Sequence, residues 1–182
     1  MKYGNFHITA PLMLCGEMNE AEVLGASVWL WMHSPQHNTA SLNTLPTLLL
    51  PIIKNQQFAL VSEGNKPVFF LSWAWMDEQA ECRYFTEDFL MFREEDWTSG
   101  ERLWIHDWIA PFGHSMVMRR IVSDIIFPEH FGRMIYHKTK NYQTKTWHGK
   151  NIQRQEKDKW YREHPVIKDE ATLRLLLQKS TQ

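Results

Sequence analysis

Cysteine is scarce in this 182-residue chain. Cys15 and Cys82 are the only two, and their spacing suits neither a disulfide framework nor a ligand set. A reducing compartment is therefore expected. The opening stretch, MKYGNFHITAPLMLCGEMNEAE, lacks the long apolar core of a secretory signal. No run approaches the ~20 apolar residues that span a bilayer. A strong charge of either sign is missing too: 20 Lys and Arg stand against 21 Asp and Glu. That argues against a basic protein that coats nucleic acid. No internal repeat, low-complexity segment or linker stands out. The expectation is one soluble, cytoplasmic domain over residues 1–182, with a less certain C-terminal extension from about residue 151.

What charge there is lies unevenly. No Lys or Arg occurs between Tyr3 and Ile53, where Glu17, Glu20 and Glu22 are the only acids. So bare a segment should be core, interface or pocket wall. From Lys138 to Arg162 the balance reverses: Lys138, Lys140, Lys145, Lys150, Arg154, Lys157, Lys159 and Arg162 face only Glu156 and Asp158. Such a stretch is either a solvated face or a dock for an acidic partner.

Asn19 can cap a helix from about Glu20 to Met32, with Leu24, Val28 and Trp31 at helical spacing and Pro35 beyond its end. Leu42 to Asn55 reads as a second apolar helix, entered or kinked at Pro46 and Pro51. QQFALVSEGNKPVFFLSWAWMDE is a hairpin around Glu63-Gly64-Asn65-Lys66. ECRYFTEDFLMF reads as a third strand or a strand–helix mixture. A turn at Thr98 to Gly100 precedes a strand that ends at Pro111. Ser115 to Phe127 is an amphipathic helix closed by Pro128, and RMIYHK is a short strand. TKNYQTKTWHGK is a loop or irregular hairpin, and Asn151 to Glu163 a polar helix. Asp169 caps a last short helix. Helices packed on a largely antiparallel sheet make an α+β layout.

Two polar clusters interrupt this apolar background. In WIHDWIAPFGHSM, strand alternation puts Leu103, Ile105, Asp107 and Ile109 on one face, with Trp104, His106, Trp108 and Ala110 on the other. A carboxylate among aliphatics must find a donor or a cleft. Asp107 is therefore either a buried structural acid or a carboxylate that orients a histidine. In HSPQHN, Pro35 keeps His33 and His37 off one helical face, and no Glu or Cys completes a metal set, so no metal is expected. His37 follows an apolar helix at a loop, where reactive groups are often presented. Gly113 lets a backbone approach closely before a helix start, which could receive an anion. GHSM at Gly113 to Met116 resembles a nucleophile elbow, but Val117 replaces its second glycine and the strands upstream read as antiparallel. An esterase of the α/β-hydrolase kind is thus an alternative, as is a non-enzymatic toxin-binding chaperone using the apolar first third.

The segments EVLGASVWLWMHSPQH, LLPIIKNQQFALV, NKPVFFLSWA and EDWTSGERLWIHDWIAPFG resemble the toxin-activating lysine acyltransferases, the hemolysin-activating (HlyC-type) proteins of RTX toxin systems. The likeness runs from about Glu20 to Phe131 in order and spacing. It implies a GNAT-like fold, and a cytoplasmic enzyme that moves a fatty acyl chain from acyl carrier protein to internal lysines of an RTX protoxin. It implies no bound cofactor beyond the phosphopantetheine thioester of the donor, and a homodimer. The family's essential histidine falls on His37, its aspartate on Asp107, and an implicated serine on Ser34. Trp108 and Gly113 are candidates for donor binding or oxyanion support. Two departures are visible: His106 stands where an aliphatic or aromatic residue is expected, and the R/Q-x-x-G-x-G/A loop of GNAT proteins is absent. The latter fits a pantetheine arm delivered on a carrier protein.

Overall fold

The computed structural model describes residues 1–87, 92–136 and 143–179. Seven strands form one sheet in chain order: β1 (Lys2–Tyr3), β2 (Phe6–Thr9), β3 (Phe58–Glu63), β4 (Lys66–Met76), β5 (Arg102–Ile109), β6 (Phe131–Tyr136) and β7 (Gln143–His148). Every neighbouring pair is antiparallel except β5 and β6, which run parallel. A parallel neighbour needs a crossover. Here it is α6 (Ser115–Ile121), prolonged by a wider turn of helix over Val122–Ile126. The class is α+β, a mixed sheet flanked by helices, as the sequence suggested.

Two apolar cores lie on opposite faces of the sheet. On one, α6 and its extension pack Met118, Ile121, Val122 and Phe127 against Trp73, Leu103 and Ile105. The N-terminal helix α1 (Pro11–Leu14) joins that side. On the other, α2 (Glu20–Met32), α3 (Leu45–Leu48) and α4 (Leu50–Lys54) bring Leu30, Trp31, Leu49 and Ile52 onto Phe70, Ala74 and Trp104. The uncharged first third is thus only partly core: Val23, Leu30, Trp31, Leu49, Ile52 and Ile53 are buried, whereas Leu12, Met32 and Leu42 are exposed. Asn19 caps α2 by accepting from Ala21 N and Glu22 N at 3.0 and 3.2 Å. The apolar stretch Leu42–Asn55 is not one kinked helix. A 3-10 turn (Leu42–Thr44) leads into α3 and α4, with Pro46 and Pro51 in their first turns, where a missing N–H costs nothing. The hairpin closes as expected, Glu63 opposite Lys66, with Gly64 at φ +58°.

The segment expected as a third strand or a strand–helix mixture begins as a helix. ECRYFTEDFLMF contributes to α5 (Glu78–Thr86), and positions 88–91 lie outside the described residues. Asp77 accepts from Ala80 N at 2.7 Å, and Glu78 and Glu81 sit in the first turn, where the helix dipole favours them. Where β4 ends, Gly100 presses on Met76 O and Asp77 N; a Cβ there would come within 2.5 Å of both.

The C-terminal part holds α7 (Arg154–Glu163) and α8 (Glu170–Lys179), the latter capped by Asp169, which accepts from Thr172 N at 2.7 Å. Tyr161 on α7 donates to Gly132 O at 2.8 Å, tying that helix to β6. Among the described residues no helix is long and apolar enough to cross a membrane.

Candidate active site

Between the pairs Leu71–Trp108 and Trp73–Ile105, β4 contributes one residue, Ser72, and β5 two, His106 and Asp107. This is a β-bulge, which adds a residue to one strand and breaks its alternation. The bulge corrects the face assignment made from simple alternation. Leu103 and Ile105 pack towards α6, whereas Trp104 and Ile109 belong to the core under α2 and α4. Asp107 and His106 both turn to that second side, so His106 is not on the far face. Its ring meets Trp97 edge-on at 5.7 Å, and its Nδ1 lies 3.5 Å from the Tyr84 hydroxyl.

His37 arrives from the loop after α2. Ser34 O accepts from both His37 N and Asn38 N, at 3.0 and 2.9 Å, winding the Pro35 segment into a tight turn. The imidazole leans on Trp31, with ring centres 4.9 Å apart. Its Nε2 lies 3.0 Å from Asp107 Oδ1, and its Nδ1 lies 2.9 Å from Ser34 Oγ. The Ser72 hydroxyl donates to Asp107 Oδ2 at 2.6 Å and accepts from Asp107 N at 3.0 Å. Two clusters 70 residues apart in sequence thus meet in one chain of contacts: Ser34, His37, Asp107, Ser72.

Asp107 is only 3% exposed, while the His37 side chain is 19% exposed. Burial pushes the Asp107 carboxyl up. The charges of His106 and His37 and the hydrogen bonds from His37 and Ser72 together outweigh it, leaving the carboxyl at about 2. A permanently ionised carboxylate on Nε2 keeps the proton there and leaves the Nδ1 lone pair as the basic site. Burial and the charge of Asp107 push Tyr84 upward, so it keeps its proton.

The pair opens on a cavity of about 1700 Å³. Its origin lies in the sheet. The β5–β6 ladder holds only from Leu103–Gly132 to Ile105–Met134. Beyond that point the described residues of the two parallel strands are no longer paired, and His106–Trp108 line one wall while Ile135 and Tyr136 line the other. The cavity reaches both faces: Trp31 and Leu48 border it on the α2 side, Met116 and Val122 on the α6 side. An extended ligand carrying amides could satisfy the facing strand edges.

The remaining candidates fall differently. Ser34 is buried against His37, and Trp108 lines the cavity with its side chain on the α6 side, edge-on to Phe69 at 5.0 Å. Gly113 turns the chain at φ +85° and does not border the cavity. His33 is exposed, and its Nδ1 lies 2.8 Å from Trp29 O. Ser115 Oγ accepts from Trp108 Nε1 at 3.4 Å and, among the described residues, meets no imidazole. With a single parallel strand pair, the sheet also lacks what a nucleophile elbow needs. Ser72 escaped notice in the sequence. Its one signal was a hydroxyl in the middle of VFFLSWAW, where a buried polar group demands a partner. Among the described residues no group of three or more His, Cys, Asp or Glu could hold a metal.

Comparison with known proteins shows the family. The sequence model described as the RTX toxin acyltransferase family matches residues 16–148. A leukotoxin-activating lysine-acyltransferase of a Pasteurella haemolytica-like species (strain 5943B) is 40% identical over 114 residues, covering 63% of this chain and 67% of the relative. The RTX-II toxin-activating lysine-acyltransferase of Actinobacillus pleuropneumoniae is 38% identical over 117 residues, 64% of this chain and 72% of that one. A protein-lysine myristoyltransferase of Kingella kingae is 37% identical over 114 residues, 60% and 68%.

Proposed function

The chain belongs to the RTX toxin acyltransferase family, and on that premise we propose that it transfers a fatty acyl group from a pantetheine thioester to internal lysines of an RTX protoxin through His37 and Asp107. It is an acyltransferase acting on protein lysine. The observation that carries the residue assignment is the 3.0 Å contact between His37 and Asp107 at the mouth of a cavity that crosses the sheet.

A lysine amine has an ordinary pKa of ~10.4 and is therefore protonated and non-nucleophilic near neutrality. His37 Nδ1 takes that proton, either through the Ser34 hydroxyl or in its place, and Asp107 stabilises the imidazolium that results. The freed amine attacks the thioester carbonyl, the C–S bond breaks, and the sulfur leaves with the electron pair, taking the proton held on the His37 imidazolium. The base so restored accepts the second proton that the nitrogen sheds as the amide forms. The opened strand edges of β5 offer backbone amides for the transient oxyanion. Apolar walls such as Leu48, Ile105 and Val122 suit a fatty chain, at about 0.8 kcal/mol per buried CH₂. No prosthetic group is required by this scheme. Acyl carrier protein as donor, a homodimer and a cytoplasmic setting follow from the resemblance.

Co-expression with a protoxin, followed by intact mass and peptide mapping, tests the reading. Acyl increments on lysine are expected with the wild type and none with His37→Ala, whose thermal midpoint should move by only a few degrees. An acylated protoxin produced by that variant would remove His37 from the chemistry. Unchanged protoxin mass with the wild type and carrier-bound donor would favour a binding chaperone.

A further inference from the structure

Part of the basic stretch, joined by Arg119 of α6, is not used by the acyl-transfer scheme. Arg119, Lys145, Lys150 and Lys157 border the cavity on the α6 side, with Asp124 as the acid among them. Lys145 and Lys157 are engaged: the Lys145 ammonium sits 3.4 Å above the Tyr136 ring centre, and Lys157 Nζ lies 3.8 Å from Asp158. Arg119 and Lys150 have no ion-pair partner among the described residues. Asp124 already accepts from the Ser123 hydroxyl at 2.7 Å.

The backbone brings the two exposed residues Arg119 and Lys150 near each other. Arg119 and Ser123 are four residues apart on one helical face. Lys150 N donates to Ser123 O at 2.9 Å, and Asn151 N to Pro128 O at 2.9 Å. Gly149 permits the approach: a Cβ there would come within 2.2 Å of Phe127 O and Pro128 O. Lys150 is therefore fixed within a turn of Arg119, at the opposite mouth of the cavity from His37. Two exposed cations on neighbouring backbone at the rim of a cavity, with no ion-pair partner among the described residues, can receive an anion.

We propose that Arg119 and Lys150, with Lys157 beside them, bind the phosphate that ends the pantetheine arm of the acyl donor. The inference rests on the acyl-transfer reading, which puts the sulfur end of that arm at His37 and Asp107. The arm then runs through the split between β5 and β6, and its phosphate emerges on the α6 side. Both coenzyme A and a carrier protein present this phosphopantetheine chemistry, so the site recognises what the two donors share.

The test uses the whole protein and two unacylated probes, 4′-phosphopantetheine and pantetheine, with binding followed by the fluorescence of the cavity tryptophans Trp31, Trp108 and Trp147. At low salt the phosphorylated probe should bind about tenfold more tightly or better, a difference that shrinks as ionic strength rises. Arg119→Gln with Lys150→Gln should bring the two probes within about twofold while pantetheine itself binds as before. Equal binding of both probes by the wild type, or a loss that falls equally on both, overturns the site. Phosphate-dependent binding without any acyl transfer would keep the site and sink the transfer reading; acyl transfer with no phosphate preference would do the reverse. Rates with acyl-coenzyme A and with acyl carrier protein at equal concentration identify the source. Both should fall in the double variant, and a variant that spares both overturns the site.

Discussion

Asp107 takes a hydrogen bond on each oxygen, from His37 Nε2 and from Ser72 Oγ. Asn in its place would point an amide N–H at Nε2 and force the ring into the other tautomer, with its proton on Nδ1. The base would then be blocked while the shape is kept. Asp107→Asn should lower kcat by about 10²- to 10⁴-fold with the donor KM little changed, in single-turnover assays at fixed protoxin. A variant that simply unfolds would favour a structural acid. The pH dependence has a definite sign. The folded carboxyl is held at about 2, below its ordinary ~3.9, so its stabilisation is complete above pH ~4 and is lost as pH falls towards 2. Urea midpoints of the wild type and Asp107→Asn should therefore converge between pH 4 and 2. An acid limb in kcat/KM above pH 4 then belongs to a group other than Asp107. His37 and Asp107 stood out as candidates because each is a polar residue in or just after an apolar run, and the family resemblance, not the pattern, paired them. Ser72 and the shared side of His106 were not, because the bulge is an extra residue that composition does not mark.

At the scale of elements, α2 and the β3–β4 hairpin carried local signals that agree with their surroundings: an Asn cap with helical periodicity, and a Gly-Asn turn between apolar runs. In α5 they conflict. The aromatic and alternating CRYFT reads as strand, yet the Asp77 cap and a buried ionic cluster decide for helix. Glu81, fully buried, accepts from Arg102 Nε at 2.6 Å and from Trp104 Nε1 at 2.8 Å, and Arg133 Nη1 lies 3.6 Å away. Burial pushes the Glu81 carboxyl up and the Arg133 guanidinium down, so each would cost heavily alone. Glu81→Gln leaves two buried cations facing a neutral amide. A loss of about 3–5 kcal/mol is expected from denaturant unfolding. Lys159→Ala, which removes the exposed pair with Glu163 at 3.9 Å, should cost under ~0.5 kcal/mol. Similar losses for the two would mean the cluster is not a joint between α5, β5 and β6. The β1–β2 pair had no reading in the sequence, because two- and four-residue strands are too short for periodicity to register.

For the whole molecule, the question is whether the segment after residue 148, beyond the family match, is an appendage. Its contacts say it is part of the site's frame. The Arg102 guanidinium donates to Pro165 O and that of Arg133 to His164 O, so the strands that diverge to form the cavity are clamped by the chain that follows α7. Trp160 stacks on Phe131 at 5.0 Å, at the start of β6. Sequence could not show this, since the partners on the far side are backbone carbonyls, which any residue supplies. The stretch was readable as a polar, basic helix and a capped last helix, but not as what these pack against. Removing residues 150–182 would leave Arg102 and Arg133 with lost acceptors and expose the Phe131 face. That truncation should unfold at markedly lower urea and lose acyl transfer. Removing 169–182 takes away α8 but keeps the clamp, so activity should survive. A 150–182 deletion that still acylates protoxin at the wild-type rate would show the clamp to be incidental and the matched region to be self-sufficient. Loss of activity in the shorter deletion would move the essential contact to the packing of α8 on α5.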